Sequence, residues 1–323
     1  MNTHIQTIEI KNYKCFQDFK AKNLKRVNLI GGKNNIGKTT FLEACLLCMA
    51  DNYSDIYSRL LEIGTHRNLV NRVLQHKKRR ENLKNLIVDS SNISIVINED
   101  RELYIKNRDN RYQIKPPLLD AKEMRYGELF DRLDRDIEYS YMAFSSNYIS
   151  PFSDFNDSYN RGISSLKLKN RLKTLNSHLK ELFDIDELDY INNQPQLFKD
   201  KWKELSLYGQ GVKTFVNIMI SLLLLEDRIL FIDEIENGIH YSLFDKMWEI
   251  ILKISKSRGV QIFATTHSKE CIESYNKVSE RLEDDDIAFI NLSRNRKDKI
   301  VPIVLDSGMF RSELVQNHEV RAW

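Results

Sequence analysis

The sequence predicts an α/β protein built on a buried, largely parallel sheet that a long insertion splits along the chain. Three observations predict it. Apolar runs at 27–30, 229–232 and 260–264 show no polar alternation, the pattern of strands covered on both faces. Apolar helical stretches at 212–225 and 241–255 interleave with the last two, giving strand–helix–strand alternation. The first run passes through a glycine-rich turn into an apolar helix at 41–49.

In chain order, residues 4–31 hold two or three short strands, in IQTIEI, FQDFKAKNL and RVNLI. Residues 51–85 read as helical and basic, with the cluster Lys77-Lys78-Arg79-Arg80. Residues 92–113 alternate, with ISIVI, ELYIK and RYQIK as strands split by the turn residues NED and NRDN. Pro116-Pro117 punctuates. Residues 118–138 read as one or two charged helices, 139–144 as a strand, and 145–162, rich in Ser, Asn and Asp, as a loop. Residues 166–183 read as one helix with Leu168, Leu172, Leu175, Leu179 and Leu182 at helical spacing. A short strand is expected within 198–207, and two more at 287–292 and 300–305. The predicted division is a core formed by 1–50 and 205–323, with 51–204 as an inserted lid and arm region of helices and β-hairpins.

A chain of 323 residues can form one large domain with an insertion, or two domains. Hydrophobic content of 41% and charged content of 29% fit a globular chain and not a disordered one. A net charge of +3 is too small to argue for nucleic acid. The N-terminus MNTHIQTIEIKNYK alternates as a strand does, unlike a secretion signal. The longest apolar stretch, 215–225, is broken by Asn217 and Ser221 and is too short for a bilayer. A soluble, cytoplasmic protein without a membrane partner is expected. Cys45 and Cys48 form a C-x-x-C on an apolar helix, with no second pair to complete a zinc site. Together with Cys15 and Cys271 they are expected to be free thiols.

Gly32-Lys33-Asn34-Asn35-Ile36-Gly37-Lys38-Thr39, followed by Thr40, is a G-x-x-x-x-G-K-[ST] phosphate loop in its strand–loop–helix setting. The glycines let successive N–H groups turn inward as an anion nest at a helix N-terminus. Lys38 brings a charge to the β- and γ-phosphates, and Thr39 offers a hydroxyl to Mg²⁺. A P-loop NTPase taking ATP and Mg²⁺ is predicted. RILFIDE at 228–234 is an apolar strand ending in two carboxylates. Asp233 there can hold the metal, and Glu234 can polarise the attacking water. Glu236 is a rival for that second role. VQIFATTHS at 260–268 ends another strand in His267, whose neutral imidazole can bond the γ-phosphate and orient the water.

LSLYGQGVK at 205–213 precedes an apolar helix. Ser206, Gly209 and Gly211 make a second anion-receiving helix start. One chain has no use for two such surfaces on one nucleotide. Two chains packed head to tail do, so a homodimer or higher oligomer with shared ATP sites is expected.

The order of these parts resembles the ATP-binding-cassette (ABC) ATPases. More narrowly, the chain is similar to the soluble branch holding the overcoming-lysogenisation-defect (OLD) ATPases, RecF and the SMC heads. IEIKNYKCF…VNLIGGKNNIGKTTFLEA, SLYGQGVK, ILFIDEIENGIH, ATTHS and the tail ELVQNHEVRAW carry the resemblance over 4–50 and 205–323. It implies an ABC-ATPase-like mixed sheet. Lys38, Thr39, Asp233, Glu234 and His267 would keep the roles above, Ser206, Gly209 and Gly211 would act in trans, and Asn237 and Gly238 would cross the dimer interface. Leu207 and Tyr208 separate the serine from the glycines, a departure from the transporter pattern. The lid glutamine of that pattern has no counterpart at Phe144-Ser145-Ser146-Asn147.

The resemblance implies an ATP-driven switch that dimerises around ATP and controls a separate effector, a nuclease or toxin in anti-phage defence. A nuclease domain of the TOPRIM kind is not expected in this chain. The alternative is a RecF-like clamp on DNA in repair, supported by the Lys77–Arg80 cluster; a transporter motor fits less well. The acidic run Glu283-Asp284-Asp285-Asp286 reads as a solvated turn.

Overall fold

The computed structural model describes residues 4–50, 59, 63, 92–99, 101–108, 111–115, 124–125, 148–149, 156–226 and 228–315. A hairpin, β1 (Ile8–Tyr13) and β2 (Phe16–Ala21), leads to β3 (Val27–Gly32), which the phosphate loop joins to α1 (Lys38–Cys48). Strands β4 (Asn92–Ile97), β5 (Arg101–Arg108), β6 (Arg111–Lys115) and β7 (Met124–Arg125) extend the hairpin. The result is a six-stranded antiparallel sheet in the order β2-β1-β4-β5-β6-β7. Alternation sets its register. Ile8 and Ile10 point inward and pair with Ile97 and Ile95, which are also buried, while Lys11 faces water.

The second sheet uses β8 (Tyr148–Ile149), then β12 to β15 after the intervening elements. Between them lie α2 (Asn156–Leu168), α3 (Leu172–Phe183), the meander β9 (Glu187–Ile191), β10 (Gln194–Phe198) and β11 (Trp202–Glu204), and α4 (Gln210–Leu224). Next come β12 (Ile229–Ile232), α5 (Phe244–Arg258), β13 (Gln261–Thr265), α6 (Lys269–Arg281), β14 (Ile287–Arg294), β15 (Ile300–Asp306) and α7 (Ser307–Val315). The sheet order is β15-β14-β3-β13-β12-β8, parallel throughout except for β15. The predicted α/β mixed sheet therefore forms.

The central strands are buried on both faces, as their unbroken apolar runs require. Leu230, Ile232, Ile262 and Ala264 face a core shared with Leu175 and Leu179 of α3, Phe215 and Met219 of α4 and Trp248 of α5. Phe231, Phe263 and Ile30 face the other way, onto Phe41 of α1 and the first sheet. Helix α1 is thus sandwiched, which is why its apolar residues are spread around all its faces. Cys45 and Cys48 lie in it, buried and free; Cys271 is also a buried free thiol and Cys15 an exposed one.

Several local readings are corrected. Residues 156–162, expected as loop, begin α2, because Tyr159, Ile163 and Leu166 at i, i+4 and i+7 bury one stripe. The single helix expected over 166–183 is two. Asn170 takes a left-handed φ of 56°, the chain turns, and Leu168 is 86% exposed and not on the apolar face. Met124 and Arg125 pair with β6 as strand inside a stretch read as helix. Helix α6 was not anticipated. The remainder of 118–138, the strand expected at 139–144, the cluster Lys77–Arg80 and the segment 144–147 lie outside the described residues. Among the described residues, no helix is long and apolar enough to cross a membrane.

The acidic run is not wholly a solvated turn. Asp284 is 3% exposed and forms an ion pair with Arg26, itself 7% exposed at the start of β3. Arg26 also donates to Ser255 Oγ at 2.6 Å on α5, so one guanidinium ties strand, helix and loop together. Asp284→Ala removes the buried partner and leaves Arg26 the more exposed Asp286 at 3.7 Å, so it should lower stability by about 3 kcal/mol, read as a drop in the urea unfolding midpoint.

Candidate nucleotide site

The register of the second sheet sets the site. Ile232 lies opposite Ala264, and Thr265 opposite Ile30, so β12, β13 and β3 end at one edge. Whatever follows each strand converges there, outside the carboxyl ends of a parallel sheet. The phosphate loop follows β3, Asp233 and Glu234 follow β12, and His267 follows β13.

Two glycines shape the loop for different neighbours. Gly32 has φ 134°, and a Cβ there would stand 2.6 Å from the Leu292 carbonyl oxygen. Gly37 has φ 104°, and a Cβ would stand 2.7 Å from Cys15 Sγ. Lys33, Asn34 and Asn35 are exposed, Asn35 with φ 59°, while buried Ile36 pins the loop to the core. Thr40 is buried.

Lys38 is 5% exposed, and its Nζ donates to the carbonyls of Gly32 at 2.9 Å and Lys33 at 3.0 Å. Burial lowers its pKa to about 8, against the opposing pull of Asp233, Glu236 and Glu234. Thr39 Oγ1 donates to the Asp233 carboxylate, 2.9 Å from Oδ2 and 3.2 Å from Oδ1. Thr265 Oγ1 donates to Asp233 Oδ1 at 2.6 Å and accepts the Glu234 N–H at 2.8 Å. Burial pushes the Asp233 carboxyl above its ordinary range, although both hydroxyls pull it back. Thr265 escaped sequence reasoning. The available signal was a threonine at the end of the strand beside β12, in the run ATTHS.

Glu234 has a left-handed φ of 53°, and its Oε1 lies 3.8 Å from His267 Nε2. The rival carboxylate, Glu236, accepts the main-chain N–H of His267 at 2.6 Å. The structure therefore brings together Lys38, Thr39, Asp233, Glu234, Glu236 and His267. These residues fit a magnesium nucleotide. The cradle is one that a Cβ would fill, and Thr39 with Asp233 supplies hard oxygen donors. Among the described residues, no cluster of three or more His, Cys, Asp or Glu forms a cage for a metal, so a cation held here would share its shell with phosphate oxygens.

The two glycines of the second helix start differ. A Cβ on Gly211 would lie 2.2 Å from the Gly238 carbonyl oxygen, so it is small because the loop after β12 crosses it. A Cβ on Gly209 would meet nothing within 4 Å. Ser206 Oγ donates to Glu204 Oε2 at 3.0 Å, and Leu207 is 74% exposed.

A phosphate loop at the edge of a mixed sheet, with a hydroxyl–carboxylate pair beside its lysine, defines an ATPase of the AAA type. The chain belongs to the family described as "AAA domain, putative AbiEii toxin, Type IV TA system", which matches residues 27–273. It is similar to the ATP/GTP phosphatase of Helicobacter pylori, 26% identical over 329 residues, spanning 85% of this chain and 88% of that one. In fold it is similar to the SMC head bound to the C-winged helix domain of ScpA, with a TM-score of 0.54 and 14% identity over 94% of this chain and 98% of that chain. It is also similar to an Smc head with an extended coiled coil bound to the C-terminal domain of ScpA, derived from Pyrococcus furiosus. There the TM-score is 0.55, with 12% identity over 98% of this chain and 100% of that chain.

Proposed function

We propose that the chain is a cytoplasmic ATP-hydrolysing switch that dimerises around ATP and controls a separate effector protein. The observation that carries this is the bonded cluster Thr39–Asp233–Thr265 directly beside Lys38 at the phosphate loop. Lys38 and the loop amides from Gly32 to Thr40 bind the phosphates. Thr39 and Asp233 would hold Mg²⁺, which when bound supplies positive charge to the β- and γ-oxygens. Glu234 accepts the proton of the attacking water, and His267 orients that water against the γ-phosphate. The name of the H. pylori relative, a phosphatase of ATP and GTP, supports hydrolysis. The family description, which names a "putative AbiEii toxin" and a toxin–antitoxin system, supports a link to a toxin-type effector. With that goes the narrower placement beside the OLD and RecF ATPases, and the division into a core of 1–50 and 205–323 with a lid at 51–204.

Ser206, Gly209 and Gly211 act on the neighbour's nucleotide, and Asn237 and Gly238 line the same contact. The open space at Gly209 and the exposure of Leu207 and Tyr241, at 74% and 66%, support an interface there. Phosphate release together with ATP-dependent doubling of mass in light scattering tests the proposal; a protein that stays monomeric with ATP and Mg²⁺ refutes the dimer. Leu207→Asp should weaken that dimer by about 10- to 100-fold while leaving nucleotide affinity of the monomer unchanged.

A further inference from the structure

Among the described residues, the His267 imidazole has no hydrogen-bond partner; the nearest charged group is Glu234 at 3.8 Å. Its placement is set through the main chain. On one side the Thr266 N–H donates to the Ile30 carbonyl at 3.0 Å, tying the segment to β3. On the other, the His267 N–H donates to Glu236 Oε1 at 2.6 Å, a short, charge-assisted bond. Glu236 is in turn rigidly held. The Ile235 N–H donates to the Thr265 carbonyl at 3.0 Å, and Ile235 is fully buried. The Asn237 N–H donates to the Glu234 carbonyl at 2.9 Å, and the Ile239 N–H to the Glu236 carbonyl at 3.0 Å, closing the turn. The same turn presents Gly238 to Gly211 at the start of α4.

The other carboxylate oxygen, Oε2, is buried without a partner among the described residues. A buried acceptor left unmatched is costly, and such costs concentrate where geometry serves function. The bond from the His267 N–H to Oε1 is exposed, so Oε2 alone is the oxygen withdrawn from water.

We propose that Glu236 is a positioning residue for ATP hydrolysis. It clamps the main chain of His267 and links that histidine to the turn on which the α4 helix start rests. It accepts no proton in the reaction, which separates its task from that of Glu234. This rests on the ATPase reading above.

The test compares the full chain with Glu236→Ala and Glu236→Gln, since glutamine keeps an oxygen acceptor and discards the charge. Glu236→Ala should lower kcat about 100-fold. Its KM for ATP should stay within about 3-fold of the parent. Amide exchange in the peptide carrying His267 should speed up. Glu236→Gln should restore kcat to within about 5-fold of the parent and restore protection of the amide. Three results overturn the proposal: a Gln variant as inactive as the Ala variant, an Ala variant with parental kcat, or His267 exchange that does not change. A parent chain that releases no phosphate removes the ATPase reading itself, and the proposal with it.

Discussion

Lys38→Ala should abolish ATP binding while leaving the fold standing. Three carboxylates, Asp233, Glu234 and Glu236, act electrostatically on Lys38, and Asp233 sits in the bonded cluster beside the loop. Without Lys38, a triphosphate would face those carboxylates with only the exposed Lys33 left as a cation in this loop. One charge pair near 4 Å in such a partly screened setting contributes about 4 kcal/mol, or roughly 10³-fold in Kd. Titration calorimetry with ATP and Mg²⁺ reads this directly, and ordinary affinity in the variant would end the phosphate-loop assignment. The nucleotide-free variant should melt within about 4 °C of the parent, because burying the ammonium opposes folding even as its two carbonyl bonds favour it. The sign of the pH effect follows. Lys38 is held at about 8 in the fold against 10.5 for the free side chain, so between those values the unfolded chain binds more protons at this position. That lysine makes the parent's stability rise with pH across the window. The difference between parent and Lys38→Ala should therefore shift in the parent's favour as pH climbs from 8 to 10.5.

Glu234→Gln should stop turnover, keep binding and trap the ATP-bound dimer. The substitution is isosteric, and the residue's backbone is fixed independently of its carboxylate, through the Glu234 N–H to Thr265 Oγ1. Thr265 therefore goes on holding Asp233 in the variant. What is lost is the proton acceptor, about 10²- to 10⁴-fold in kcat. Single-turnover hydrolysis and size-exclusion with ATP measure the two halves of the expectation. A Glu234→Gln protein that turns over normally, set against an inactive Glu236→Gln protein, would reassign the base to Glu236 and leave Glu234 without a part in proton transfer.

The legible parts of this chain were those in which a few neighbouring residues carry the whole signal. The phosphate loop is one, because glycine at 32 and 37 answers to local backbone angles that other residues resist. The strands of the sheet were another, because apolar residues on both faces have few other destinations. Leu168 misled, since helical spacing cannot register a left-handed Asn170 two residues on. Helix α6 was missed because its polar residues outnumber the stripe of Cys271, Ile272, Tyr275 and Val278 that it buries. Asp284 looked like surface because its partner, Arg26, is 258 positions away.

Composition and local pattern settled the kind of fold and named residues that the fold gathers at one edge of its sheet, since glycine turns and apolar strands are built from neighbours in the chain. Folding had to add the contacts between distant segments. Thr265 meets Asp233, Glu236 meets the His267 amide, and Gly211 meets Gly238 because parallel pairing sets β12 beside β13 and lets one loop cross α4. Pairings across 27 to 32 residues depend on register and packing, which no short window of sequence encodes.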